Sequence, residues 1–141
     1  MKTNPYIENK LLIKQKQKLM KKTFELLQAG FQSSTGTTPE FKSFVSVFKR
    51  EFKKLLQNFN ATQIKINKGH FYISGFFKVD NQWFYFSLSD VRSFQAGSTH
   101  WGSLLVRTAK DAKDFTGGKN EYVVISDDMV EDFQKVLKLY V

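Results

Sequence analysis

Near Asn60 the spacing of apolar side chains changes from three and four residues to two, and no other feature limits the fold of this chain so strongly. Upstream, Phe41, Phe44, Val45, Phe48, Phe52, Leu55, Leu56 and Phe59 recur at the helical interval. Downstream, the segments QIKIN, HFYISGFFKV, QWFYFSLS, SLLVRT and YVVI are short, rich in β-branched and aromatic residues, and separated by turn residues. A helical stripe and a two-residue alternation bury different faces, so helices must precede a sheet here. The end of the chain, SDDMVEDFQKVLKLY, returns to the helical period. Met129, Val130, Phe133, Val136, Leu137 and Tyr140 form its buried stripe, and Ser126 or Asp127 is its expected cap. Helices followed by strands followed by a helix predict an α+β fold, with an antiparallel sheet of four to five strands and the last helix packed on it.

Two helices are expected before the switch. The first runs through NPYIENKLLIKQKQKLMKKTFELLQAG, with Asn4 as cap, Pro5 in the first position and Gly30 as the stop. Leu12, Leu19, Met20, Phe24 and Leu27 share one side of it, while Lys10, Lys14, Lys18 and Lys21 or Lys22 make a cationic stripe. The polar stretch QSSTGTT reads as a loop, and Thr38 with Pro39 opens the second helix. On that helix Lys42, Lys49, Arg50, Lys53 and Lys54 point away from the phenylalanine stripe. At 141 residues the chain has the length of one domain, divided into a basic helical part (1–60) and a sheet with its helix (61–141).

Asp80-Asn81 reads as a two-residue hairpin turn, and the register follows from it. Ile73 faces Leu88, Gly75 faces Phe86 and Phe77 faces Phe84, with Val79 on the same side. These side chains form the core face, and the Phe86 ring covers the glycine. Tyr72, Ser74, Phe76, Lys78, Trp83, Tyr85 and Ser87 fall on the other side. Rings beside a cation and hydroxyls suit single-stranded nucleic acid, at roughly 1–3 kcal/mol per stacked base. The same residue types anchor protein contacts, and a helix lying over this face would make them core instead. In the latter case Lys78 and Trp83 form a cross-strand cation–π pair.

Charge is what separates the function classes. Residues 1–60 hold 12 basic and 4 acidic side chains, whereas 61–141 hold 10 and 9. Excess positive charge confined to one half points to an anionic partner: nucleic acid, or an acidic or nucleic-acid-bound protein. The first helix lacks the interfacial tryptophan of a membrane-surface anchor, so no membrane partner is expected. With no cysteine there is neither a disulfide framework nor a thiolate metal site, and no apolar run is long enough to span a bilayer. The chain therefore reads as a soluble cytoplasmic protein. His70 and His100 stand in no ligand motif, and Asp80, Asp90, Asp111 and Asp114 have no spacing that forces them together. FTGGKN departs from the phosphate-loop spacing and reads as a flexible turn. Arg92 and Arg107, near an exposed Trp101, either clamp a backbone or pair with Asp90 and Asp111. No catalytic residue, metal or cofactor is expected.

From Gln63 onward the strands, ending in YVVISDDMVEDFQKVL as strand and helix, resemble the transcriptional-coactivator and Whirly type of single-strand binder over about the last eighty residues. That resemblance implies a sheet face that contacts nucleic acid. ISGFFKVDNQWFYFSLSDVR and LLVRTAKDAKDFTGGKNEY also resemble small proteins of bacterial phages and mobile elements, which implies action on nucleic acid or inhibition of a host nucleoprotein in a defence system. The combined reading is a non-enzymatic nucleic-acid binder. Lys10, Lys14, Lys18, Lys22, Lys49, Arg50, Lys53, Lys54 and Lys78 would neutralise phosphate, and Tyr72, Phe76, Trp83 and Tyr85 would stack bases. A protein-interaction module is the alternative, and a homodimer stays open.

Overall fold

The computed structural model describes residues 19–30 and 39–141. Its elements in chain order are α1 (Lys21–Ala29), α2 (Pro39–Asn58), β1 (Thr62–Lys68), β2 (Ile73–Val79), β3 (Gln82–Leu88), a 3-10 turn (Val91–Ser93), β4 (Ser103–Ala109), β5 (Glu121–Val124) and α3 (Val130–Lys138). The strands form one antiparallel sheet in the order β1-β2-β3-β4-β5, so each pairs with its neighbour in sequence. The fold is α+β, with five strands and a C-terminal helix. The expected caps Asn4 and Thr38 lie outside the described residues.

The core is built mainly from phenylalanine. Phe41, Phe44, Phe48, Phe52, Leu55 and Leu56 of α2 are buried, as their spacing requires. Phe52 sits at the centre: its ring lies 4.8 Å from Phe86, 6.3 Å from Phe77 and 5.8 Å from Phe133 of α3, each at a steep angle. Edge-to-face contacts of this kind add about 0.5–1.5 kcal/mol per pair to the burial itself. Phe48 also reaches Phe86, and Phe77 stacks on Phe84 at 5.2 Å. Both α2 and α3 therefore pack on the same side of the sheet. The α1 segment joins this layer through buried Met20 and Leu27 and an edge contact of Phe24 with Phe94.

Two local features depart from the sequence reading. Neither Ser126 nor Asp127 caps the last helix. The Ser126 hydroxyl donates to the Asp128 carboxylate, and Met129 holds the cap position with no side-chain bond. Acids still occupy the first turn and Lys135 and Lys138 the last, as the macrodipole favours. At α1 the cap position, Met20, likewise offers no side-chain bond. Its first amides are satisfied from another element: Glu51 of α2 accepts from the Thr23 amide and hydroxyl, both at 2.6 Å, and from the Lys22 amide at 3.3 Å. A carboxylate thus meets the positive end of α1 and ties two helices together.

The β1–β2 pair carries a bulge between Thr62 and Lys65, with Gln63 at φ 52°. Gly75 lies beneath it. A Cβ there would stand 1.8 Å from the Lys65 carbonyl oxygen and 2.9 Å from the Phe86 ring, so the glycine accommodates both the ring and the neighbouring backbone.

Replacing Glu51 tests the capping role. Glu51→Ala should lower unfolding free energy by about 1–2 kcal/mol in urea titration, and Glu51→Gln by less, because the amide oxygen still accepts. Equal stability of Glu51→Ala and the parent would refute the cap.

Candidate functional site

The hairpin register is the one the turn residues predict: Ile73 opposes Leu88, Phe76 opposes Tyr85, and Lys78 opposes Trp83. Asp80 takes the left-handed conformation at φ 54°, which closes the turn. With α2 and α3 on the Phe77–Phe86 side, no described helix covers the opposite side. Strand pairing arranges that open face in transverse rows. One row is Lys65, Phe76, Tyr85, Arg107, a cation at each end of two rings. A second is Thr62, Lys78, Trp83, Ala109, and a third is Asn67, Ser74, Ser87, Leu105, Tyr122. Lys78 Nζ lies 5.6 Å from the Trp83 ring, the cross-strand pair expected from sequence. Tyr72 is 47% exposed and Tyr122 51%, while Trp83 and Tyr85 are half-buried.

The β4–β5 loop crosses the middle row, which the sequence does not reveal. Phe115 rests at 5.2 Å from Phe76 and 6.0 Å from Tyr85, leaving Phe76 only 1% exposed while Phe115 itself is 63% exposed. Phe76 is therefore closed off, and the expectation that it stacks bases is corrected: its place in the row is taken by Phe115. The loop is held by Arg107, which is 5% exposed. Its guanidinium lies 4.2 Å from the Tyr85 ring and donates to the carbonyls of Gly117 (2.5 Å), Asp114 (3.1 Å) and Thr108 (3.3 Å). A planar fork with five donors suits this simultaneous stacking and bonding.

Asp114 organises the loop itself, since its carboxylate accepts from the amides of Lys110, Thr116 and Gly117. Those bonds, led by the one from Lys110, hold its pKa below the ordinary value of 3.8. Gly118 adopts φ 82°, and a Cβ there would come within 2.4 Å of the Thr108 carbonyl. The segment expected to be a flexible turn is thus a bonded strap. Arg107 makes no pair with Asp111. Arg92 does pair with Asp90, and its side-chain bonds lower the Asp90 pKa while its guanidinium covers the Phe71 ring at 4.3 Å.

The cations divide. Lys10, Lys14 and Lys18 lie outside the described residues. Lys22 is exposed at the start of α1, and Lys49, Arg50, Lys53 and Lys54 are exposed on α2, in no ion pair among the described residues. Because α2 packs on the core side, these four are separated from Trp83 and Tyr85 by the thickness of the sheet. The cations that share rows with the rings are Lys65, Lys78 and Arg107. Sequence reasoning overlooked Lys65, Phe115 and Tyr122; a lone aromatic in a polar loop was the only signal for Phe115. Among the described residues no group of His, Cys, Asp and Glu could hold a metal ion, and no helix is long and apolar enough to cross a membrane. Comparison with protein-family models, curated proteins and solved structures found no match to the chain.

The strap should respond to acid. A carboxylate with a depressed folded-state pKa contributes stability above its unfolded value and loses it as pH falls through the folded one. The amide resonances of Lys110, Thr116 and Gly117 should therefore shift together with a midpoint below 3.8. Asp114→Ala should remove that transition, and a midpoint at or above the ordinary value would contradict the assignment.

Proposed function

We propose that this chain is a non-enzymatic nucleic-acid-binding protein that prefers single strands and receives them on the open sheet face. One observation carries the reading: the face opposite the helices presents Trp83, Tyr85, Phe115, Tyr72 and Tyr122 among Lys65, Lys78 and hydroxyls, with no described helix over it. Flat rings supply sequence-tolerant stacking, and lysines on adjacent strands neutralise the backbone between stacked bases. A duplex hides its base faces, so the rings favour single strands. This face is also the surface that the Whirly-type resemblance would assign to nucleic acid, and the resemblance to phage and mobile-element proteins is compatible with such binding. The cations of α2 lie behind the sheet and act through the long-range field, which raises the local concentration of polyanions at low salt.

Tryptophan fluorescence tests the proposal. In a Trp101→Phe background only Trp83 reports, and a single-stranded oligonucleotide should quench it in a saturable way while duplex of equal length does so weakly. Trp83→Ala should weaken single-strand binding by roughly tenfold, as expected for one lost stacking contact. Lys65→Gln and Lys78→Gln should each reduce the slope of log affinity against log salt by about 0.7. Absence of quenching together with unchanged affinity of Trp83→Ala would reject the sheet face as the site.

A further inference from the structure

A second surface lies on the helical side of the sheet, where α2 passes an edge that no other described strand pairs with. β1 is a terminal strand. Lys49, Arg50 and Lys53 of α2 and Ile64 and Ile66 of β1 line a groove of about 370 Å³ along that edge. The floor is aliphatic, the rim cationic, and none of these lining residues is acidic. The Gly69 amide bonds to the Tyr72 carbonyl, and alternation from that pair turns the backbone groups of Ile66 and Lys68 away from β2. Outward backbone donors and acceptors, an aliphatic floor and a row of cations therefore coincide along one short strand.

We infer that this groove receives an extended acidic peptide segment of a partner protein, added to the sheet beside β1. The chemistry selects that occupant. A strand-forming peptide satisfies the free backbone groups of β1, places alternate aliphatic side chains on Ile64 and Ile66, and directs its carboxylates to Lys49, Arg50 and Lys53. Nucleic acid would pair with the lysines but has neither a backbone that matches a strand edge nor side chains for the aliphatic floor. A second copy of β1 would set Lys65 and Lys68 against their own counterparts, the arrangement by which edge lysines prevent self-association. The chain's own residues 1–18 carry five lysines and one glutamate, the wrong charge for this groove. This site is independent of the proposed nucleic-acid face, since it uses the opposite side of the sheet.

The test uses the full chain and a fluorescein-labelled peptide of alternating glutamate and valine, with a lysine–valine peptide as control. Saturable binding of the acidic peptide alone is expected, accompanied by slower amide exchange at residues 64–68. Lys49→Glu combined with Lys53→Glu should weaken it by about tenfold or more, with unfolding unchanged because both positions are exposed helix sites. Trp83→Ala should leave peptide binding intact, so failure here and failure of the nucleic-acid face give different patterns. The inference is overturned by no saturable binding, binding that ignores the double substitution, binding without protection of 64–68, or displacement of the peptide by an oligonucleotide that depends on the same lysines. Concentration-dependent dimerisation that protects β1 would overturn it in favour of a second copy.

Discussion

The placement of Phe52 governs the rest of this molecule. Its ring is in contact with Phe86 and Phe77 of the sheet and with Phe133 of α3, so one side chain joins α2 and α3 to one surface of the strands. Close packing of this kind is selective, because rings meeting at fixed angles do not tolerate a helix moved to another face. Once α2 and α3 share a side, the other side of the sheet has no described helix to cover it. The exposure of Tyr122 and the partial exposure of Trp83 and Tyr85 are thus a consequence of the core.

That uncovered side is shaped by a strap rather than a layer. Arg107 is nearly buried yet has no carboxylate partner in an ion pair; three carbonyl oxygens and the Tyr85 ring compensate its desolvation. Asp114 gathers three amides of the same loop. Cation and carboxylate each organise backbone, and together they hold Phe115 above Phe76. The exposed ring surface at this row is accordingly shifted from the strand to the loop.

The molecule also separates the cations of α2 from the rings of the open sheet face. Both appear in the sequence as parts of one binder, because lysines and aromatics suit the same ligand. Folding puts Lys49, Arg50, Lys53 and Lys54 on the helical side and the rings on the other, with the sheet between. Two surfaces with different chemistry result: a ring-bearing face suited to bases, and a cationic groove with an aliphatic floor suited to an acidic strand.

Much of the fold was legible in the sequence. Periodicity determined α2 and α3 and the described part of the first helix, the Asp80-Asn81 turn determined the hairpin register, and the register in turn assigned every β2 and β3 side chain to a face, because alternation admits no other arrangement once one pair is known. The conformational demand of Gly75 was visible as a ring opposite a glycine. Whether the helices would cover the second face as well was not legible, since an alternating strand with rings on both sides can be buried on one side or on both. The strap was hidden for a related reason: Arg107, Asp114 and Phe115 act through backbone carbonyls and amides, which every residue possesses and no sequence pattern marks. The separation of the α2 cations from the rings was likewise decided by tertiary structure alone, because distance across a sheet depends on which layer each element joins.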